Sequence, residues 1–100
     1  MEDAHTIMLS MPDDPKASFF AVFDGHGGAK VANYAAENLY KCLCTHQLYQ
    51  NEQIEEAFKS VFIEFDEMMF SDEKMRDELA GSTAIVVLFK NGYIYCVSSV

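Results

Sequence analysis

The strongest chemical signal in the chain is five consecutive residues, Asp24-Gly25-His26-Gly27-Gly28, directly after the apolar run Phe19-Phe20-Ala21-Val22-Phe23. A carboxylate that ends a buried strand is held rigidly at the sheet's edge. Hard divalent cations take oxygen ligands, and one carboxylate can bridge two of them. Gly25 has no side chain, so its backbone carbonyl can also approach an ion. His26 stands beside them, and an imidazole titrating near neutral pH suits proton donation to a leaving group. Gly27 and Gly28 keep the approach open and lead into a helix. The plainer alternative is a strand-to-helix turn, with Asp24 as an N-cap and the glycines relieving strain.

Glu2 and Asp3 are a second pair of acids, at the start of an otherwise apolar strand. Successive strand side chains point to opposite faces, so only one of the two looks directly at a metal in a sheet cleft. The other acts through water. Taken alone, two acids at a terminus are solvated charge. Other chemistries lack their residues. Lys30 stands where a dinucleotide fingerprint needs its third glycine, and no Gly-Lys-Ser/Thr completes a P-loop. A lipase-like oxyanion loop would need a Gly-x-Ser-x-Gly elbow, which the sequence lacks. Cys42, Cys44 and His46 lie close in sequence, but three candidates on different faces fall short of four converging zinc ligands. His5, Ser82 and Thr83 read as structural, and Met68, Met69 and Met75 as core filler.

The elements around these residues follow from periodicity. Residues 4–11 alternate loosely and are rich in Ile, Met and Leu, which predicts a strand. Pro12-Asp13-Asp14-Pro15 predicts a turn. The run 19–23 has the length of a strand buried on both faces. Val31, Ala35, Leu39, Cys42 and Leu43 predict one face of a helix over about 28–46. Asn51 is a fitting N-cap for a second helix, with Ile54, Phe58, Val61, Phe65 and Met68 inward. Glu55, Glu56, Lys59, Glu64 and Glu67 then face outward, and the charged stretch 71–78 reads as a helix end or a loop. Gly81 opens a β-branched run from Thr83 to Phe89, and Asn91-Gly92 predicts a type I′ hairpin that returns through Tyr93–Val97. Strand, strand, helix, helix, strand, strand is an α+β order, with helices packed on a sheet.

One hundred residues hold one small domain, and half of them are apolar, a globular composition. The net charge of −9 and seven scattered basic residues argue against nucleic acid, which needs clustered Lys and Arg. Acidic chains can bind divalent cations, although a solvated face accounts for most of these carboxylates. Cys42, Cys44 and Cys96 are odd in number and form no disulfide framework, which suggests a reducing compartment. No secretory signal pattern and no apolar run of membrane-spanning length is visible, so the expected location is the cytoplasm or the nucleus, with no membrane partner.

In combination the motifs say more. Met1-Glu2-Asp3, then Phe19-Phe20-Ala21-Val22-Phe23-Asp24-Gly25-His26 with Gly28, then Gly81-Ser82-Thr83-Ala84 opening a hairpin, resemble the type 2C (PPM-type) metal-dependent serine/threonine protein phosphatases. Three signatures in the right order make the resemblance specific, and it runs to about Cys96. It implies that residues 1–100 are a partial catalytic domain, the N-terminal part of a four-layer αββα sandwich, contributing strands and two helices. It also implies roles. Asp24 would bridge two Mg²⁺ or Mn²⁺ ions, and Glu2 and the Gly25 carbonyl would bind one of them. Asp3 would act through water. Activated water would attack phosphoserine or phosphothreonine in protein substrates, and His26 would protonate the departing oxygen.

The chain also departs from the family pattern. The substrate-gripping arginine expected before Met-Glu-Asp is absent. Val97-Ser98-Ser99-Val100 stands where Asn-x-Gly-Asp-Ser-Arg is usual, and the later aspartates of the metal site are missing. The expectation is a fragment or truncated form with little phosphatase activity by itself, exposed apolar faces and poor solubility. The alternative is a non-catalytic interaction protein that binds phosphoproteins or a full-length phosphatase. Asp24 and His26 favour the enzyme, and the missing ligands favour the binding protein. Mg²⁺ and Mn²⁺ both accept this oxygen ligation, and no oligomeric state is implied.

Overall fold

Apolar residues at every second position of the strands and at helical spacing between them set up one buried layer boundary. The computed structural model describes residues 2–25, 30–79 and 82–99. The elements are β1 (Glu2–Met8), β2 (Ser18–Gly25), α1 (Lys30–Thr45), α2 (Gln47–Gln50), α3 (Ile54–Phe70), α4 (Glu73–Leu79), β3 (Ser82–Lys90) and β4 (Tyr93–Ser99). The strands form one antiparallel sheet in the order β1-β2-β3-β4. The fold is α+β as expected, but with two long and two short helices among the described residues rather than two helices.

Phe19, Ala21 and Phe23 of β2 and Ala84, Val86 and Leu88 of β3 point to the helix layer and are buried. They meet Val31, Ala35 and Leu39 of α1, and Ile54, Phe58, Val61 and Phe65 of α3 complete the core. Burying a side chain such as Phe19 or Leu88 contributes about 1.5–3 kcal/mol. The Thr6 hydroxyl donates to the Ala36 carbonyl at 2.6 Å, which ties α1 to β1. At the end of the sheet remote from Asp24, the Tyr49 hydroxyl donates to Asp14 at 2.7 Å. The Lys90 ammonium bonds the same carboxylate and lies 4.8 Å from the Tyr49 ring centre.

Several expectations change. β2 is buried on one face only, and Val22 is 53% exposed. The described helices all cover the same side of the sheet, so Ile7, Val22 and Ile85 look outward. The first strand stops at Met8, not residue 11. Met11 instead forms a bridge with Asp14 across the Pro12–Pro15 turn and is buried. On α1 the inward stripe runs Leu39, Leu43 and Cys44, leaving Cys42 exposed. On α3 it steps from Phe65 to Met69, four residues on, so Met68 is turned out and its sulfur accepts from the Tyr34 hydroxyl.

Asn51 is the C-cap of α2 rather than the N-cap of the next helix, which begins after Gln53. The short α2 arises because the His46 ring accepts from the Leu48 amide at 3.1 Å, an N-cap that periodicity does not reveal. Residues 73–79 form α4 for the same reason. The Asp72 carboxylate accepts from the amides of Met75 and Lys74, which lowers its pKa. Met75 then packs into the core. The β3–β4 hairpin follows its sequence signal, with φ of 54° at Asn91 and 79° at Gly92.

Candidate functional site

Asp24 and Gly25 are the last two residues of β2, and pairing on both sides fixes their neighbours. Asp3 lies directly opposite Asp24 and Glu2 opposite Gly25 on β1. Thr83 and Ser82 occupy the matching places on β3. Phe23 and Ala84 face the helices, so alternation turns Asp3, Asp24 and Thr83 onto the open side of the sheet. Asp24 is half-buried, and Asp3 is exposed.

Side chains directly opposite in an antiparallel pair have Cβ atoms about 4.5–5.5 Å apart, and like charges there repel. A hard cation between two carboxylates reverses that sign, so the donor chemistry of Asp3 and Asp24 fits a divalent ion. Among the described residues no group of three or more His, Cys, Asp and Glu side chains converges on one point. His26, Gly27, Gly28, Met1 and Gly81 lie outside the described residues. The sheet register brings Glu2, Asp3, Asp24 and Gly25 together along one end of two strands.

The remaining candidates separate. Burial, with Glu64 adding to it, pushes the Cys42 thiol pKa up. Cys44 is raised too, chiefly by burial. Raised values favour thiol over the thiolate that a zinc site requires. The His46 Nε2 lies 3.1 Å from a Glu64 oxygen, and with Nδ1 occupied as a cap acceptor the ring serves structure. His5 is exposed on β1, opposite Val22.

One acid escaped the sequence reading. Asp66, on α3, lines a cavity of about 510 Å³ whose wall also includes Asp24, Ser82 and Thr83. Burial alone raises its carboxyl pKa, although much of the side chain's surface remains accessible. Its spacing held a signal, since Asp66 stands four residues after Phe62 and four before Phe70. It therefore borders the apolar stripe rather than the acidic outer face.

A sequence profile described as protein phosphatase 2C matches residues 1–98. A Caenorhabditis elegans protein named as a probable protein phosphatase 2C is 49% identical over 96 residues, covering 96% of this chain and 27% of that protein. A rice protein, "Probable protein phosphatase 2C 18", is 39% identical over 95% of this chain and 11% of its own length. The fission-yeast "Protein phosphatase 2C homolog 3" is 39% identical over 99% of this chain and 25% of its own length. The chain thus spans about a quarter or less of the length of these relatives.

Proposed function

The chain belongs to the protein phosphatase 2C family, and on that premise we propose that the protein it comes from removes phosphate from phosphoserine and phosphothreonine in proteins with the help of two Mg²⁺ or Mn²⁺ ions. The carrying observation is the in-register pair Asp3 and Asp24 on the open side of the sheet's end. Bound there, divalent ions supply a lowered water pKa and a charge clamp for the phosphate oxygens. Asp24 would hold both ions, with Glu2 and the Gly25 carbonyl on one of them. Asp3 would orient water beside them, and His26 would give a proton to the departing Ser or Thr oxygen.

Two carboxylates on neighbouring strands cannot enclose two ions, and no third described acid converges on them. We therefore expect little turnover from the chain by itself. Mn²⁺ binding followed by calorimetry, with hydrolysis of a phosphothreonine peptide in parallel, tests both parts. Asp24→Ala should weaken Mn²⁺ binding at least about tenfold, the loss of one charge-assisted ligand. Equal Mn²⁺ binding in the variant would overturn the metal assignment, and Asp24-dependent turnover would overturn the expected inactivity. The open apolar side of the sheet favours a second reading, a phosphatase-like chain that associates with phosphoproteins or a full-length phosphatase. Binding to a phosphorylated peptide that is indifferent to both Mn²⁺ and Asp24→Ala would support it.

A further inference from the structure

One imidazole holds the segment that joins α1 to α3. α2 is a single turn, and its backbone bonds include the Gln50 amide to the His46 carbonyl at 3.1 Å and the Asn51 amide to the Gln47 carbonyl at 3.0 Å. A helix that short is marginal by itself. Its N-terminus leans on the His46 side chain, where Nδ1 accepts from the Leu48 amide at 3.1 Å. The other ring nitrogen, Nε2, lies 3.1 Å from a Glu64 oxygen on α3. An ionised carboxylate only accepts, so Nε2 carries the proton and Nδ1 keeps its lone pair. The two contacts together fix one neutral tautomer. The side chain is 20% exposed, so protons from solvent reach it.

We propose that His46 is a pH-sensitive latch on α2: neutral, it caps the helix and ties it to α3, and protonated, it keeps Glu64 but lets the Leu48 amide go. The second proton goes onto Nδ1, where the lone pair was, and a donor then faces a donor. The gained charge strengthens the contact with Glu64, so the ring stays with α3 while α2 loses its cap. The consequence passes through Tyr49, the buried residue of α2, whose hydroxyl donates to Asp14 at 2.7 Å. Loosening α2 therefore loosens the cluster of Tyr49, Asp14 and Lys90 at the end of the sheet remote from Asp24. The surrounding groups leave the response to His46. The last turn of α1 brings Lys41, Cys42 and Cys44, and α3 brings Glu64. α2 brings Tyr49, with Asp14, Lys90 and Glu52 behind it. Burial pushes both thiols up, with Glu64 adding to it at Cys42 and Asp13 at Cys44, and burial with Asp14 pushes the Tyr49 hydroxyl up further. Asp14 is raised by burial but lowered more by Lys90 and Tyr49. These four groups therefore keep their charge between pH 8 and pH 5. The latch uses none of Glu2, Asp3, Asp24 and Gly25, so it stands apart from the phosphatase reading.

The test follows the 100-residue chain by NMR from pH 8 to pH 5. At pH 8 the ring nitrogen shifts of His46 should show a bare Nδ1 and a protonated Nε2. On acidification the hydrogen-exchange protection factor of the Leu48 amide, corrected for the intrinsic pH dependence of exchange, should fall about fivefold, the worth of a typical N-cap. Tyr49 should follow, while Val61 within α3 keeps its protection and reports that the fold is intact. His46→Asn supplies a side-chain oxygen that caps without titrating, so Leu48 should be equally protected at both pH values. Glu64→Gln removes the charge that draws the second proton, and release should then need more acid. A proton on Nδ1 at pH 8 would overturn the latch, as would equal protection of Leu48 at pH 8 and pH 5 in the unaltered chain. Acid loss of Leu48 protection in a folded His46→Asn variant would overturn the role of His46. Release at an unchanged pH in Glu64→Gln would overturn the part given to Glu64.

Discussion

Asp14 shows how far one side chain can be understood from its neighbours. Burial by itself raises its pKa, but hydrogen bonds from Lys90 and Tyr49 and the Lys90 charge outweigh that, and the net shift is downward. A lowered carboxyl stabilises the fold above its unfolded-state value, near pH 3.9, and that contribution is lost as pH falls through the folded value. Asp14→Asn should therefore destabilise the chain at pH 6 by about 1.5–3 kcal/mol, the range for hydrogen bonds to charged groups. The gap between the two proteins should shrink at pH 3, as read from urea midpoints. A gap that widened in acid would contradict the arrangement. In the sequence, Asp14 is one member of a Pro-Asp-Asp-Pro turn and Lys90 a strand residue 76 positions later. The place of Asp24 at the end of β2 was legible because the apolar run before it is local, whereas the partners of Asp14, and the cavity beside Asp66, arise from contacts between distant segments.

Among the elements, the β3–β4 hairpin was the most legible, and its physics is confined to two residues. Gly92 sits at a φ of 79° with open space around the position a Cβ would take. A substitution there meets backbone strain and no clash. Gly92→Ala should cost about 1 kcal/mol, a fall of about 4–8 °C in melting temperature for a chain of this size. Asn91→Gly should be close to neutral, since Asn91 already lies at positive φ. An unchanged melting temperature for Gly92→Ala would mean that the turn gives way. The helices were less legible. Periodicity located α1 and α3, but it could not separate α2 and α4, whose starts depend on caps from His46 and Asp72. It also misplaced the inward stripes at Cys42 and Met68, because a helix turns about 100° per residue and three-residue and four-residue steps look alike on a short stretch.

For the whole molecule, the uncovered side of the sheet is the dominant feature. Ile7, Ile85 and Ile94 are 64%, 58% and 64% exposed, alongside Val22 and Phe89. A contiguous apolar sheet face seeks cover, so the chain should associate as its concentration rises and should bind a hydrophobic dye. The pair Val22→Thr and Ile85→Thr, at adjacent register positions, should reduce both effects with little change in melting temperature, because these side chains are largely solvated already. Light scattering on a size-exclusion column measures the association, and a monomer that binds no dye at high concentration would contradict the prediction. The α+β order, the hairpin and the position of Asp24 at the end of a strand follow from chain-local physics: alternation, helical spacing, and an apolar run closed by a carboxylate. Which face of β2 is buried does not, since Phe19–Phe23 is apolar on both sides, and only the placement of α1 and α3 settles it. The pairing of Asp3 with Asp24, the Asp14–Lys90 contact and the Asp66 cavity likewise depend on register and packing, which act between residues far apart in the chain.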